Sequence, residues 1–286
     1  MREKGLVANF YRPATRGKHP GIIVIGGAGG GLRSSSAIAS LLAERGYGAL
    51  ALAYFGVEPL PEQLQEIPLE YFERAIEWMR AQPSVDPSKL GLVGTSKGGE
   101  AALLLGATYR QIRAVVAYSP SYVVFQGIDL AWSDASASKS SWTRDGKPVP
   151  FVPFQLDWDC IQRYGFYLGL YLGSLQDQQA VGRAVIPVEH INGPTLLISG
   201  KDDAIWPSST MCDRVIERLN QRDFAFSFEH LSYDGAGHLS AGPSRLAPTR
   251  PIGADRMDIG GTGSANSAAR DDAWAMACRF FDLYLT

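Results

Sequence analysis

The feature that most constrains the fold is a glycine-flanked serine between an apolar strand and an apolar helix. The run Leu90–Val93 leads into Gly94-Thr95-Ser96-Lys97-Gly98, and the apolar segment Gly98–Tyr109 follows. A G-x-S-x-G pattern in this context predicts a sharp strand-to-helix turn that cannot accommodate side chains at its two glycine positions. Ser96 then takes unusual backbone angles and exposes its hydroxyl beside a helix N-terminus, where negative charge is stabilised. An ordinary β–α turn is the alternative interpretation.

Predicted strands and helices alternate along much of the chain. Ile22–Ile25 is a β-branched run that ends at a glycine-rich turn, and Leu69–Arg80 carries apolar residues at helical spacing. This alternation is typical of an α/β fold with a mostly parallel sheet and helices on both of its faces. The other predicted elements are the strands Gly48–Tyr54, Ile112–Tyr118, Thr195–Ser199 and Phe224–Leu231, the helices Ser34–Arg45 and Asp271–Leu285, and a linker at Gly260–Ser267.

One long segment, from Ser119 to about Pro187, breaks this alternation. Because structureless stretches of such length are uncommon and usually functional, we interpret residues 120–187 as a cap inserted over the end of the sheet. The cap would belong to a single domain that spans residues 1–286. A second wall of ordinary core is the alternative interpretation. The aromatic residues of this segment include Trp132, Trp142, Phe151, Phe154, Trp158, Tyr164, Phe166, Tyr167 and Tyr171.

Composition excludes several classes of protein. A chain of 286 residues that is 45% hydrophobic can bury a large core, and its net charge of −2 disfavours nucleic acid or an anionic membrane surface as a partner. No apolar run approaches the roughly 18–20 residues that a membrane span needs. Cys160, Cys212 and Cys278 are too far apart for a disulfide framework or a metal site. The charged start Met1–Val7 has no apolar stretch, so we expect no signal peptide and a cytoplasmic location.

Histidine is scarce, and this narrows the choice of a base for Ser96. A serine hydroxyl is a weak nucleophile until a base accepts its proton, and in proteins with this serine turn the histidine follows the serine along the chain. His19 precedes the serine, His190 comes before a predicted strand, and His230 lies within one. His238 lies in a glycine-containing loop directly after the last predicted strand. His238 is therefore the predicted base.

The acid that orients the histidine is predicted from the loop after another strand. Thr195–Ser199 is followed by Gly200-Lys201-Asp202-Asp203. The acid should hold the imidazole in place and stabilise its protonated form. The spacing from the end of the strand favours Asp203, and Asp202 is the alternative.

Two backbone N–H groups are the predicted donors to a developing oxyanion. One belongs to Lys97, directly after the serine, and the other to Ala28, in the glycine-rich loop after Ile25. That loop lacks the Gly-Lys-Ser/Thr ending of phosphate-binding loops, so we expect no nucleotide there. The side chains of Lys97 and Glu100 are expected only to cap and solvate the helix.

Several further stretches carry a family resemblance. They are Gly26–Leu32, Leu50–Phe55, Pro68–Phe72, Ser96–Glu100, Gly200–Asp203, Trp206–Ser208, Gly235–His238, Gly260–Gly261 and Asp272–Trp274. These stretches resemble the C-terminal catalytic domain of the acyl-CoA thioesterase and bile acid-CoA:amino acid N-acyltransferase family, an α/β-hydrolase group related to the dienelactone hydrolases. The resemblance runs from about residue 5 to the end of the chain. It implies a catalytic triad of Ser96, Asp203 and His238.

Two departures from the family pattern affect the prediction. Animal members carry an N-terminal β-sandwich domain, for which we expect no room here because the first core strand is predicted near Gly21. The N-acyltransferases resemble this chain with a cysteine in place of Ser96. Because an oxyester acyl-enzyme is more consistent with transfer to water, the serine favours hydrolysis.

The residues and the resemblance together predict a serine hydrolase that cleaves acyl thioesters through an acyl-enzyme. Its substrate would be a small-molecule acyl thioester or ester, and neither a metal ion nor an organic cofactor is required. One alternative is an acyltransferase that passes the acyl group to an amine or alcohol, and another is a carboxylesterase or lactone hydrolase. A ligand-binding protein on a hydrolase fold, without turnover, is a more remote alternative.

Overall fold

A central sheet of eight strands organises the computed structural model, which describes residues 2–3, 5–129, 138–246 and 258–286. The strands of the described residues are β1 (Arg2–Glu3), β2 (Leu6–Tyr11), β3 (His19–Ile25), β4 (Gly48–Ala53), β5 (Ile67–Pro68), β6 (Val85–Thr95), β7 (Ile112–Tyr118), β8 (Trp142–Arg144), β9 (Lys147–Pro148), β10 (Thr195–Gly200) and β11 (Phe228–Tyr233). The sheet order is β1-β2-β4-β3-β6-β7-β10-β11, and β5, β8 and β9 form a separate small sheet. From β4 to β11 all neighbours are parallel, whereas β2 is antiparallel to β1 and β4. The predicted, mostly parallel sheet is confirmed.

Helices cover both faces of this sheet, as predicted. They are α1 (Arg33–Glu44), α2 (Leu69–Arg80), α3 (Lys97–Thr108), α4 (Trp158–Tyr164), α5 (Phe166–Ser174), α6 (Gln178–Ala184), α7 (Ser208–Gln221) and α8 (Gly263–Leu285), with short 3-10 turns at Val188–His190 and Ser244–Leu246. Successive side chains of a strand point to opposite faces. Ile22 of β3 therefore belongs to a core cluster that includes residues of α1 and α8, and Ile23 belongs to one that includes residues of α2, α3 and α7. None of the helices in the described part of the chain is long and apolar enough to cross a membrane.

Three predictions about where elements begin are wrong. The predicted strand Phe224–Leu231 corresponds to β11, which spans Phe228–Tyr233. Strand β2 precedes β3 and pairs with β4 across Val7 and Ala53, so the first core strand does not begin near Gly21. Helix α8 begins at Gly263, so the segment Gly260–Ser267 is a linker only at its start. The hydroxyl of Thr262 accepts a hydrogen bond from the backbone N–H of Ala265 at 3.2 Å, which caps the helix well before the predicted start at Asp271.

Between β7 and β10 the chain leaves the central sheet and forms β8, β9 and α4 to α6. The aromatic side chains of this segment differ in burial. Phe125, Trp142 and Tyr171 are buried, whereas Trp158 on α4 and Phe166 on α5 are exposed. Phe125 packs against Tyr171 and against Trp206, a residue outside the segment. Trp132 lies outside the described residues, and the interpretation of 120–187 as a cap stays a prediction.

Candidate active site

Ser96 occupies a strained turn between β6 and α3. Its backbone angles are φ 59° and ψ −122°, a conformation that non-glycine residues rarely adopt. A Cβ atom at Gly94 would lie 2.0 Å from the carbonyl oxygen of Gly98, and one at Gly98 would lie 2.2 Å from that of Gly26. The predicted steric need for both glycines is therefore confirmed. The backbone N–H of Ser96 donates to the carbonyl oxygen of Tyr118 at 2.8 Å, which fixes the turn on the neighbouring strand β7.

The glycine-rich loop after β3 lies against this turn. A Cβ atom at Gly27 would come within 3.0 Å of the Cβ atom of Ser96, so the absence of a side chain there lets the loop approach the serine. Tyr54 holds the loop by donating its hydroxyl to the carbonyl oxygen of Gly26 at 2.7 Å. Ala28 is half-buried and follows directly after Gly27. Lys97, the other predicted oxyanion donor, is the first residue of α3.

Asp203 is buried in the loop that connects β10 with α7, and it contacts His238. The Nδ1 atom of His238 lies 2.8 Å from Oδ2 of Asp203. The same carboxylate accepts hydrogen bonds from the backbone N–H groups of Ile205 and Trp206, at 2.9 Å and 3.3 Å, and from the hydroxyl of Ser208 at 2.6 Å. The side chain of Asp203 is 1% exposed, so these donors replace the water that a carboxylate would otherwise bind.

Asp202, the alternative acid, has a different environment from Asp203. It is exposed to solvent, and its backbone N–H donates to the carbonyl oxygen of Ala236 at 2.8 Å. The structure brings Asp203 rather than Asp202 into contact with His238.

The loop that carries His238 is hydrogen-bonded to the carboxyl ends of β6 and β7. The backbone N–H of Leu239 donates to the hydroxyl of Ser119, which follows β7, at 3.0 Å. The backbone N–H of Ala241 donates to the hydroxyl of Thr95, which directly precedes Ser96, at 3.1 Å. Because carboxyl ends of parallel strands meet at one edge of a sheet, the turn, Asp203 and His238 share that edge.

The other three histidines have different environments. His190 is exposed in a 3-10 turn, and the ring of His19 contacts the backbone of Thr15. His230 on β11 is largely buried, with Nε2 2.7 Å from the hydroxyl of Ser199 and Nδ1 3.0 Å from Asp213. Burial lowers the pKa of His230, because desolvation disfavours its charged form more than the nearby Asp213 favours it.

The side chains of Lys97 and Glu100 form a buried ion pair. The expectation that they solvate the helix is wrong, because the two side chains are 1% and 0% exposed and their charged atoms are 2.7 Å apart. Burial raises the pKa of Glu100 and lowers the pKa of Lys97, and the mutual attraction of the pair opposes both shifts. Two charged residues three positions apart in an otherwise apolar helix are the sequence signal that could have indicated a buried pair.

Among the described residues, no group of three or more His, Cys, Asp or Glu side chains could hold a metal ion. The hydrogen bond between His238 and Asp203 bears on proton transfer. A carboxylate bonded to Nδ1 keeps a proton on that atom, and Nε2 is then the ring nitrogen that can accept a proton from a hydroxyl group.

Comparisons with known proteins identify the family and the fold of the chain. Residues 67–286 match the family model described as BAAT / Acyl-CoA thioester hydrolase C terminal. Over 280 residues the chain is 31% identical to acyl-coenzyme A amino acid N-acyltransferase 1 of Mus musculus, a match that covers 96% of this chain and 62% of that protein. It is also 31% identical over 290 residues to the mitochondrial acyl-coenzyme A thioesterase 2 of Mus musculus, with 98% of this chain and 59% of that protein covered. The chain thus spans about three fifths of the length of these relatives.

The solved structures that resemble the chain define its fold. A dienelactone hydrolase-like promiscuous phosphotriesterase from metagenomic libraries superposes with a TM-score of 0.56 and 16% identity, covering 98% of this chain and 93% of that one. A dienelactone hydrolase from Klebsiella pneumoniae superposes with a TM-score of 0.57 and 15% identity, covering 98% and 99%. The fold is therefore that of an α/β-hydrolase. From the match over residues 67–286 and the two relatives at 31% identity, the chain belongs to the family of BAAT / acyl-CoA thioester hydrolase C-terminal domains.

Proposed function

We propose that the chain is a serine hydrolase that cleaves acyl thioesters, with Ser96 as nucleophile, His238 as general base and Asp203 as the acid that orients it. The observation that carries this proposal is the 2.8 Å contact between Nδ1 of His238 and the buried carboxylate of Asp203, in a loop tied to the residue before Ser96. Family membership supports an enzyme of the hydrolase or acyl-transfer kind.

The first half of the reaction forms an acyl-enzyme. His238 accepts the Ser96 proton at Nε2 while the serine oxygen bonds to the thioester carbonyl carbon. When the tetrahedral intermediate collapses, the carbon–sulfur bond breaks and the leaving thiolate takes the proton from His238. The second half repeats the sequence with water as nucleophile, which releases the carboxylic acid and returns the proton to Ser96.

The negative charge of each tetrahedral intermediate needs nearby donors. We assign this role to the backbone N–H groups of Lys97 and Ala28. Lys97 is the first residue of α3, so its N–H group belongs to the unpaired end of the helix, where the helix dipole also favours an anion. A single donor of this kind typically contributes about 3–4 kcal/mol to transition-state stabilisation.

The decisive experiment compares two serine variants of the same strand-and-turn unit. In Ser96→Ala we expect release of free thiol from an acyl-CoA, followed with a thiol reagent, to fall at least about 1,000-fold. The matched control is Ser88→Ala, because Ser88 is an exposed residue near the start of β6, and this variant should keep wild-type activity. Labelling by a fluorophosphonate should be lost in Ser96→Ala alone. A Ser96→Ala protein that retains more than a tenth of the wild-type activity would contradict the proposal.

Transfer of the acyl group to an amine is the second candidate. It is favoured by one specific observation, the 31% identity to an amino acid N-acyltransferase over 280 residues. Both activities share the acyl-enzyme and differ only in the second nucleophile. The products formed in the presence of an added amine therefore separate them.

A further inference from the structure

We propose that Lys97 and Glu100 are positioning residues. Their buried ion pair holds Phe125 and Trp142 against the first turn of α3 and thereby fixes the geometry around Ser96 and His238. We call the set Lys97, Glu100, Phe125 and Trp142 the clasp. The inference rests on the proposed function, because what the clasp positions is the proposed nucleophile, oxyanion donor and base.

The pair itself is fully enclosed. The Nζ atom of Lys97 donates to both carboxylate oxygens of Glu100, at 2.7 Å and 2.8 Å. Residues around it on the helix are small or apolar, including Ala101 and Ala102, which are both fully buried. The two side chains are 1% and 0% exposed, so water does not solvate either charge. Each charge is therefore stabilised only by the other and by the polar groups around the pair.

Two residues from the segment after β7 complete the set. The indole Nε1–H of Trp142 donates to Oε1 of Glu100 at 2.8 Å, and the backbone N–H of Phe125 donates to Oε2 at 3.3 Å. The carbonyl oxygen of Phe125 accepts from Nζ of Lys97 at 3.4 Å and from the hydroxyl of Ser141 at 2.9 Å. Both charged residues of α3 are therefore bonded to the backbone of a single residue, Phe125.

Phe125 also extends towards the base. Its ring stacks on Trp206 with centroids 6.0 Å apart, and Trp206 makes an edge contact with the ring of His238 at 5.9 Å. The backbone N–H of Trp206 donates to Asp203. One continuous set of contacts thus runs from the helix that begins directly after Ser96, through Phe125, to the base and its acid.

Stability alone does not explain such a pair. The cost of removing two charges from water roughly cancels their attraction, and apolar side chains of similar size often serve a core as well or better. A buried pair does resist displacement, because any relative movement of the helix and the segment leaves a charge without its partner. Positioning is the property that the pair supplies and an apolar contact does not.

The test is the double variant Lys97→Met with Glu100→Gln. It removes both charges and replaces Oε2, the acceptor of the Phe125 N–H, with an NH2 group. The new amide oxygen at position 100 can still accept from Trp142, and the Phe125 carbonyl keeps its bond from Ser141. The matched control is Glu77→Gln with Arg80→Met, which removes an exposed ion pair of the same spacing on α2, remote from Ser96. Activity is expressed per serine titrated with a fluorophosphonate, so that misfolded protein does not count.

We expect kcat of the folded double variant to fall at least about tenfold with KM changed less than twofold, because a positioning residue acts on the transition state rather than on substrate binding. Hydrogen exchange at the amide of Phe125 should accelerate, and the control should change neither quantity. A folded double variant with kcat within twofold of the wild type would overturn the proposal. If the double variant does not fold, Trp142→Phe removes only the indole donor, and unchanged kcat and Phe125 exchange in that variant would overturn it equally.

The two proposals fail in different ways. If the wild type and Ser96→Ala do not differ in thioester or ester hydrolysis, the proposed function is wrong. Hydrogen exchange at Phe125 does not depend on turnover, and unchanged exchange in the double variant would then show that the ion pair fastens nothing. If hydrolysis depends on Ser96 but not on the pair, only the positioning role is wrong.

Discussion

The Asp203 carboxylate has hydrogen-bond partners in addition to His238. Ile205, Trp206 and Ser208 each donate to its carboxylate. Ile205 and Trp206 lie in the turn that joins β10 to α7, and Ser208 is the first residue of α7. The carboxylate therefore has a fixed position from which it can select one form of the His238 ring, with the proton on Nδ1. These hydrogen bonds thus fix the orientation of the Asp203 carboxylate that the proposed mechanism requires.

This role of Asp203 predicts a large difference between two neighbouring aspartates. In Asp203→Asn the amide can donate to Nδ1, which favours the wrong ring tautomer, and we expect kcat/KM for an acyl thioester to fall at least about 1,000-fold. Asp202→Asn is the matched control, since Asp202 is exposed and is one residue away, and it should change kcat/KM less than threefold. A larger loss in Asp202→Asn than in Asp203→Asn would show that the acid has been misassigned.

His230 predicts a pH dependence of stability. Burial lowers the pKa of His230 in the folded chain, whereas in the unfolded chain its pKa is about 6.5. As the pH falls below that value, the unfolded chain binds more protons than the folded chain. The folded state therefore loses stability as the pH falls. We expect the free energy of unfolding in urea to fall less between pH 7 and pH 5.5 in His230→Gln than in the wild type. His190→Gln, at an exposed position, should follow the wild type. An identical pH dependence in His230→Gln would contradict the prediction.

At the level of single residues, the sequence was sufficient to predict a residue's place in the structure where a local pattern specifies it. Ser96 and its two glycines are defined by five consecutive residues, and the proposed acid, Asp203, follows its strand at the expected spacing. The buried Lys97–Glu100 pair could not be predicted in the same way. Its partners Phe125 and Trp142 lie 25 and 42 residues from Glu100 along the chain, and only the folded structure brings them together.

At the level of elements, the junction of β6 and α3 leaves no room for a side chain at position 98. A Cβ atom at position 98 would lie 2.2 Å from the Gly26 carbonyl oxygen and 2.8 Å from that of Ile25, and both are backbone atoms that cannot move aside. The helix therefore approaches β3 closely only because this position is glycine. The same close approach brings the glycine-rich loop to the serine turn.

The junction predicts opposite effects of alanine at two helical glycines. Gly98→Ala should lower the free energy of unfolding by at least about 3 kcal/mol, because the backbone of β3 would have to shift. Gly182→Ala, in α6 with no atom within 4 Å of the new Cβ, should raise it by about 0.5–1 kcal/mol through helix propensity. Urea unfolding followed by circular dichroism measures both. Equal effects of the two substitutions would contradict the steric argument.

Elements with a strong pattern were predicted with their correct bounds, as Leu69–Arg80 and Ile112–Tyr118 show. The failures have physical reasons. Strand β2 lies near the antiparallel edge of the sheet and is only half-buried towards its end, so its alternation is weak. The first turns of α8 consist mostly of small residues, and its start is set by the Thr262 cap rather than by apolar spacing.

At the level of the whole molecule, two cores separated by the sheet account for the α/β-hydrolase architecture. Ile22 and Ile23 belong to different clusters, although they are adjacent in the chain. A third and smaller cluster joins the segment after β7 to Trp206 and Met211. That cluster connects the predicted cap to the part of the molecule that carries the proposed acid.

The whole chain is expected to hydrolyse rather than transfer. With an acyl-CoA and about 10 mM glycine, mass spectrometry should find free acid in at least tenfold excess over the conjugate, because an oxyester on Ser96 reacts sluggishly with amines. Ser96→Cys would form a thioester, which amines attack more readily, so the share of conjugate should rise although total turnover falls. Conjugate as the main product of the wild type would establish the acyltransferase alternative.

Ser199, His230 and Asp213 have the same connectivity as the proposed triad, with the hydroxyl on Nε2 and the carboxylate on Nδ1. Ser199, however, is completely enclosed in β10, and no acyl group could reach its oxygen. Interatomic distances alone therefore do not identify a catalytic triad in this molecule. Exposure distinguishes the two serines: Ser199 is enclosed within the sheet, whereas the strained turn after β6 leaves Ser96 partly exposed.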